Sequence, residues 1–271
     1  MKKTTYFILG GVIILLLIGI GAFNLKSNSV KGNAYGNSSQ AKNDTTETQT
    51  TTEMQNTTSS QNKADSKTET GAVNSAIGEF NSIEADIDAI NLEIKPGEQY
   101  SIENRQNIAI DYSNQNKVLK LTQQGRISGD DDYATVTVTV PKDKILESIN
   151  ITNDTGDAEL YQISGKKLIY AGTNGDLEVV ASNIESVDVK EEMGDIEFDN
   201  MQFQQMVIEN KSGDAEVKAA ADLSNYSILL QSKSGEVEVN DTKHGNEYKN
   251  NVQSDKKLEI TTSTGDIDVE Y

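Results

Sequence analysis

The segment Thr155–Val179, TGDAELYQISGKKLIYAGTNGDLEV, decides the fold of this chain because it contains two copies of one short phrase. The phrase consists of a glycine, an acid, an apolar residue, a second acid and a second apolar residue, and it occurs six times. Its glycines are Gly156, Gly175, Gly194, Gly213, Gly235 and Gly265. The first four are spaced by 19 residues, and the last two follow gaps of 22 and 30 residues. Such a period predicts stacked structural repeats.

Apolar residues alternate within each copy. They stand two and four positions after the glycine, as Ala158 and Leu160 do, which is typical of a strand with one buried face. A second pair, represented by Leu168 and Tyr170, follows 12 and 14 positions after the glycine. Each repeat therefore predicts two strands, and an apolar residue between them, such as Ile163, predicts a short third side.

A single repeat of this kind cannot bury its own apolar face. Coils that stack about 4.8 Å apart bury a continuous interior between parallel sheets. We therefore predict an all-β fold, a parallel β-solenoid (β-helix) of about 19-residue coils. The repeat glycine stands where the chain turns between sheets, at a position that favours positive φ. Irregular strands between Phe80 and Pro141 are interpreted as N-terminal capping coils of the same domain.

Composition divides the chain into three parts. We predict an N-terminal membrane anchor or signal over residues 1–26, a disordered Thr/Ser/Asn-rich linker over 27–78 and the β-solenoid domain over 79–271. The uncharged stretch Tyr6–Phe23 is long enough for one transmembrane helix, although small residues near its end leave a cleaved signal peptide open. Because Lys2 and Lys3 favour a cytoplasmic N-terminus, we predict a single-pass protein of the cell membrane with an extracytoplasmic C-terminal domain.

The charge of the chain restricts its partners. The formal net charge is −19, and the negative excess lies in the predicted solenoid domain. Nucleic acid is not expected as a partner, since phosphate binding needs a basic surface. Besides the membrane, which the N-terminal helix would enter, we expect cationic peptides, cell-wall glycans or another envelope protein. The chain has no cysteine, so disulfides and cysteine-ligated zinc are excluded.

If the apolar residues of the phrase point inward, its acids point outward and stack in two files. The first file contains Asp157, Asp176, Asp195, Asp214, Glu236 and Asp266, and the second contains Glu159, Glu178, Glu197, Glu216, Glu238 and Asp268. Like charges about 5 Å apart repel by roughly 1 kcal/mol in water. Two interpretations stay open: the aspartates cap nearby backbone N–H groups while the glutamates are solvated, or the files form a polyanionic strip for a cationic ligand.

No cofactor, dedicated metal site or catalytic residue is predicted. Weak Ca²⁺ binding is compatible with stacked carboxylates, but no calcium-loop motif occurs. Stacked acids on a β-helix can also cleave polysaccharides, yet here every coil carries them and none is singled out as a general acid. The sole histidine, His244, lies in a polar segment without a neighbouring serine or cysteine nucleophile.

Three sequence features together resemble a known family. They are FNSIEADIDAINLEI at Phe80–Ile94, a strand ending in VTVP before ILESINITNDTGDAEL at Ile145–Leu160, and the repeated phrase itself. Over residues 80–271 the chain is similar to the bacterial putative-adhesin domain of unknown function, found in LiaG-type cell-envelope stress accessory proteins. The resemblance implies a surface-exposed module for adhesion or envelope-stress sensing, with no catalytic residues to carry over.

These observations predict a membrane-anchored, extracytoplasmic, non-enzymatic binding or sensing module at the cell envelope. One alternative is an adhesin or spacer that binds a cell-wall or host polymer. A less favoured alternative is a polysaccharide-degrading β-helix enzyme.

Overall fold

The computed structural model describes residues 65–70, 73–104, 108–125, 134–250 and 252–271. The predicted anchor over residues 1–26 and most of the predicted linker lie outside these ranges. The described ranges consist of strands, turns and loops, without a helix. In these ranges, accordingly, no helix has the length and apolar character that crossing a membrane requires.

The strands belong to two large sheets, of 12 and 11 strands, which we call sheet A and sheet B. In chain order they are β1 (Asp65–Thr70), β2 (Val73–Ala76), β3 (Ser82–Ile87), β4 (Asn91–Gly97), β5 (Ser101–Asn104), β6 (Ala109–Gln115), β7 (Val118–Gln123), β8 (Thr135–Pro141), β9 (Ile145–Leu146), β10 (Ser148–Thr155), β11 (Ala158–Tyr161), β12 (Ser164–Asn174), β13 (Leu177–Val180), β14 (Asn183–Glu191), β15 (Ile196–Met201), β16 (Gln205–Ser212), β17 (Ala215–Ala219), β18 (Ser227–Ser232), β19 (Val237–Val239), β20 (Thr242–Lys243), β21 (Glu247–Lys249), β22 (Lys257–Thr264) and β23 (Ile267–Glu270).

The central coils each give one strand to each sheet, and equivalent strands pair in parallel. Sheet A contains the run β3, β10, β12, β14, β16, and sheet B contains the matching run β4, β11, β13, β15, β17. The register follows the 19-residue period, so that Leu168 pairs with Val187 and Leu177 with Ile196. The predicted inward residues, among them Leu160 and Tyr170, are buried. The all-β, solenoid-like prediction is therefore confirmed for the described residues.

The last repeat in the chain is not the last in the stack. Strands β22 and β23 lie between the β16/β17 coil and the β18/β19 coil. Thr261 of β22 pairs with Glu209 on one side and with Gln231 on the other. The gaps of 22 and 30 residues between the last three glycines supply the extra chain that skips one level and then returns. Short antiparallel strands β20 and β21 then cover this end.

The N-terminal end also departs from simple order. The β7/β8 coil stacks outside β3/β4, and strands β5 and β6 pair antiparallel to its outer edges. Strands β1 and β2 then pair with β6 and β5, although they lie inside the segment predicted as linker. The segment predicted as linker thus contains two strands that pair with the sheets, at Asp65–Thr70 and Val73–Ala76.

The predicted third side is not a separate sheet. Ser164 and Gly165 at the start of β12 pair with Asn183 and Ile184 at the start of β14, in the same sheet as the rest of those strands. The expected apolar residue Ile163 is nevertheless buried at this corner. The solenoid thus has two long sides.

Candidate functional site

The repeat glycine brings successive coils into close backbone contact. A Cβ built on Gly194 would overlap the carbonyl oxygen of Gly175, at far less than the 3.0 Å that real Cβ atoms respect. Gly194 also has φ +154°, and four of the other five repeat glycines have positive φ as predicted. The glycine is therefore required by sterics at the corner between the two sheets.

The aspartate after each glycine bonds to the adjacent coil. Its side chain accepts a hydrogen bond from the backbone N–H of the equivalent residue one level on, at 3.0 Å for Asp157 to Asp176 and 2.8 Å for Asp176 to Asp195. The ladder continues through Asp214 and Asp266 with distances of 2.7 to 2.8 Å. Asn91 starts it by accepting the N–H of Asp157.

This ladder fills a gap in the backbone pairing. The N–H groups of Gly175 and Leu177, on either side of Asp176, donate to carbonyl groups of the next coil. The N–H of Asp176 donates in the opposite direction, where the Asp157 carboxylate is its acceptor. The aspartates of this file thus accept backbone N–H groups, but these groups belong to the adjacent coil and not to the aspartate's own turn.

The stacking order of the first file differs from its order in the chain. Asp266 lies between Asp214 and Glu236, because Asp266 donates to Asp214 and Glu236 donates to Asp266. Glu236 is at the end of the ladder and forms an ion pair with Lys243. Glu236 is the only glutamate that directly follows a repeat glycine, and it lies on the last coil of the ladder. This exception in the sequence could have identified the last coil.

Removal of one ladder carboxylate tests this role. Asp195→Ala removes the acceptor of the Asp214 N–H at this exposed corner, and we expect a loss of about 0.5–1.5 kcal/mol in the free energy of unfolding. Asp195→Asn keeps Oδ1 and removes repulsion, so its stability should equal or exceed that of the native chain. Urea denaturation followed by circular dichroism measures both. A loss of similar size for the two variants would contradict a hydrogen-bonding role.

The second file forms an in-register row on the outer face of sheet B. We call it the acidic row, and in stacking order it consists of Glu93, Glu159, Glu178, Glu197, Glu216, Asp268 and Glu238. Thr137 and Lys243 pair with its two ends. The first member, Glu93, was missed because the phrase around it begins with Asn91 in place of Gly-Asp, although NLEI has the same alternation.

The acidic row is only partly compensated. Lys95 contacts Glu93 at 2.7 Å, and Lys218 forms an ion pair with Glu216. The Tyr161 hydroxyl lies 2.9 Å from Glu159 and 3.2 Å from Glu178, and it can donate its hydrogen to either carboxylate. These contacts leave net negative charge along the face.

Burial raises the pKa values of three members of the row above the ordinary carboxyl range. For Glu159, Glu197 and Asp268 the largest cause is desolvation, and adjacent carboxylates add to it. Burial, and after it the Glu159 and Glu178 carboxylates, raise the pKa of the Tyr161 hydroxyl, so it remains a donor at neutral pH. A cationic group placed against this face would gain from a field that solvent screens incompletely.

The outer face of sheet A differs in its charge pattern. Lysines alternate with acids on this face, and three ion pairs join adjacent coils: Lys190 with Glu209 at 3.2 Å, Lys166 with Glu147 at 2.7 Å, and Lys211 with Glu192. A shallow groove of about 630 Å³ crosses these coils. Of the two outer faces, that of sheet B is therefore the acidic one.

A third file, inside the corner, was not predicted. Three positions before each repeat glycine the chain has Asn153, Gly172, Glu191, Asn210, Ser232 and Thr262, where the alternation would place apolar residues. The side chains of Asn153, Asn210 and Ser232 donate to repeat-glycine carbonyls at 2.6 to 2.9 Å. All members with side chains are buried. The break in apolar alternation was the signal that could have found them.

Among the described residues, no group of three or more histidine, aspartate or glutamate side chains is arranged to hold a metal ion. The ladder and the acidic row are linear arrays, so they do not converge on one point. His244 is exposed, and its ring lies 4.6 Å from that of Tyr248.

These features define an all-β, solenoid-type protein with an acidic outer face. The model of the Toastrack DUF4097 family matches residues 72–254 and 208–270, so the chain belongs to this family. The predicted resemblance is thereby confirmed. No curated protein matches the chain.

Solved structures with a similar fold include two bacterial proteins. A putative cell adhesion protein from Clostridium sporogenes is 16% identical with a TM-score of 0.43, and the match covers 77% of this chain and 99% of that one. A putative adhesin from Bacteroides fragilis is 13% identical with a TM-score of 0.42, covering 77% of this chain and 98% of that one.

Proposed function

We propose that this protein is a membrane-anchored, extracytoplasmic, non-enzymatic module that binds a basic partner at the cell envelope through the acidic row. The observation that carries the proposal is the contrast between the two outer faces. Seven carboxylates stand in register on sheet B, whereas the outer face of sheet A mixes lysines with acids and joins coils through ion pairs. A face of one sign favours a partner of the opposite sign.

The spacing of the row suits a linear ligand. Levels about 4.8 Å apart give the row a length of roughly 29 Å. An α-helix rises about 5.4 Å per turn, so basic side chains one turn apart stay within about 2 Å of successive carboxylates over three or four levels. A cationic amphipathic peptide therefore fits the row better than a single metal ion does.

The location follows from the N-terminal sequence. The uncharged stretch Tyr6–Phe23 behind Lys2 and Lys3 supports an anchor that leaves the acidic row outside the cytoplasm. Cationic peptides that attack envelopes would meet the row there, which supports a role in sensing envelope stress.

Titration of the full chain in non-ionic detergent tests the binding. The probe is a helix-forming peptide with one lysine per turn, and the same peptide with glutamine for lysine is the blank. We expect binding that weakens as salt is raised. Glu159→Gln/Glu178→Gln/Glu197→Gln should weaken it about tenfold, since three partly screened pairs at about 0.5 kcal/mol each are lost.

The matched control carries three equivalent changes on sheet A, Glu147→Gln/Glu192→Gln/Glu209→Gln, and should bind like the native chain. Equal loss in both triple variants would show that net charge, and not the acidic row, determines binding. Salt-insensitive binding of wall glycans without peptide binding would support the adhesin alternative. Glycan hydrolysis that is abolished when one carboxylate is removed would support the alternative of a polysaccharide-degrading enzyme.

A further inference from the structure

Two buried polar atoms without hydrogen-bond partners lie next to Gly172, and a third belongs to its Cα partner Asn153. In the described residues, Asn153 Oδ1, Tyr170 Oη and Glu191 Oε2 are buried and unpaired. A Cβ built on Gly172 would overlap Glu191 Oε2 and lie 2.7 Å from Tyr170 Oη. Asn153 pairs with Gly172 from the coil on the other side. The missing side chain of Gly172 therefore makes the space that the Glu191 carboxylate occupies.

If Glu191 is ionised, the buried acceptors near Gly172 outnumber the donor hydrogens available to them. Glu191 Oε1 accepts the backbone N–H groups of Glu192 at 2.9 Å and Met193 at 3.2 Å. Its Oε2 and Asn153 Oδ1 are both acceptors, and the Tyr170 hydroxyl supplies one hydrogen for the two. An unmatched buried acceptor costs about 1–3 kcal/mol, and more when it is charged.

The charges around Glu191 do not compensate an ionised carboxylate. Glu191 is 2% exposed and has no ion pair among the described residues. The adjacent lysines point outward, where Lys190 pairs with Glu209 and Lys211 with Glu192. The negative charge of Asp176 acts on both Glu191 and Tyr170, and that of Asp157 acts on Tyr170, so neither compensates an ionised Glu191.

We propose that Glu191 is a buried proton-binding site: the folded solenoid keeps Glu191 neutral, and its Oε2 carries the hydrogen that the space around Gly172 lacks. Burial, the largest cause, raises the pKa of Glu191, while its two backbone hydrogen bonds and Tyr170 oppose that shift. The folded chain then holds a proton that the unfolded chain releases above about pH 4.3. Stability from this group is complete below that pH and is lost as pH rises through the folded pKa.

Urea denaturation of the full chain in non-ionic detergent between about pH 4.5 and pH 8 tests the proposal, since these limits bracket titration from the ordinary glutamate pKa upward. Glu191→Gln supplies N–H groups where Oε2 lies and cannot ionise. Its urea midpoint should match that of the native chain at the acid limit and exceed it increasingly toward neutral pH. Glu192→Gln, the exposed neighbour, should leave the native pH dependence unchanged.

A constant difference between the native and Glu191→Gln midpoints over this range would overturn the proposal, because it means that Glu191 titrates normally. If Glu191→Gln fails to fold, Glu191→Asn replaces it, since asparagine occupies the same position of the file at Asn153 and Asn210. Other carboxylates titrate in all variants and cancel in the comparison.

Discussion

Gly194→Ala should prevent cooperative folding of the solenoid or lower its free energy of unfolding by more than about 4 kcal/mol. The new Cβ would overlap the backbone carbonyl of Gly175, which cannot move away as a flexible side chain could. Relief requires the coils to separate, and this breaks the hydrogen bonds of the corner on both sides. Thermal unfolding of the full chain, followed by circular dichroism, measures the loss.

Gly245→Ala is the matched control. Gly245 also has positive φ, at +78°, but a Cβ built there meets nothing within 4 Å. Only the backbone strain of about 1–2 kcal/mol is then expected. If the two variants lose equal stability, the close approach of the coils is not what requires glycine at the corner.

Disulfide trapping should show that β22 lies between β16 and β18, because each introduced cysteine pair either forms a disulfide or does not. The chain has no native cysteine, so pairs can be introduced without background. Glu209→Cys with Thr261→Cys should cross-link on mild oxidation, because these residues are Cα partners in adjacent strands about 4.8 Å apart. Mass spectrometry of peptides from the non-reduced full chain identifies the bridge.

Two further pairs complete the experiment. Gln231→Cys with Thr261→Cys should also cross-link, since β18 lies on the other side of β22. Glu209→Cys with Gln231→Cys should not, because two levels separate them by more than the roughly 7 Å that a disulfide can bridge. The reverse outcome, with 209–231 formed and 209–261 absent, would mean that the coils stack in chain order.

The sequence predicted the strands and their buried faces because period-two alternation is a local property. Ala158, Leu160 and their equivalents had to point to one side whichever coil they contacted. The stacking order of the last coils could not be predicted in this way, since every copy of the phrase has the same pattern of inward residues. Choosing between chain order and insertion depends on contacts between distant residues, and only Glu236 and the irregular gaps hinted at it.

The acids of the phrase have two roles, hydrogen bonding in the ladder and surface charge in the acidic row, and charge alone did not distinguish them. The aspartates could not be assigned to the adjacent coil without knowing which N–H groups the backbone leaves unpaired at the corner. The interior file with Asn153 and Glu191 was missed because polar residues at alternating positions look like the end of a strand. Strands β1 and β2 were missed because the tract that contains them has too few apolar residues to indicate strand.

The place of β22 and β23 in the stack has a consequence for biogenesis. A solenoid built in chain order can grow from one end as the polypeptide leaves a ribosome or a translocation channel. Here the slot between the β16/β17 and β18/β19 coils must stay vacant until residues 257–270 have been made. Maturation therefore ends with closure of an internal gap, and until that moment β16, β17, β18 and β19 each lack a neighbouring strand.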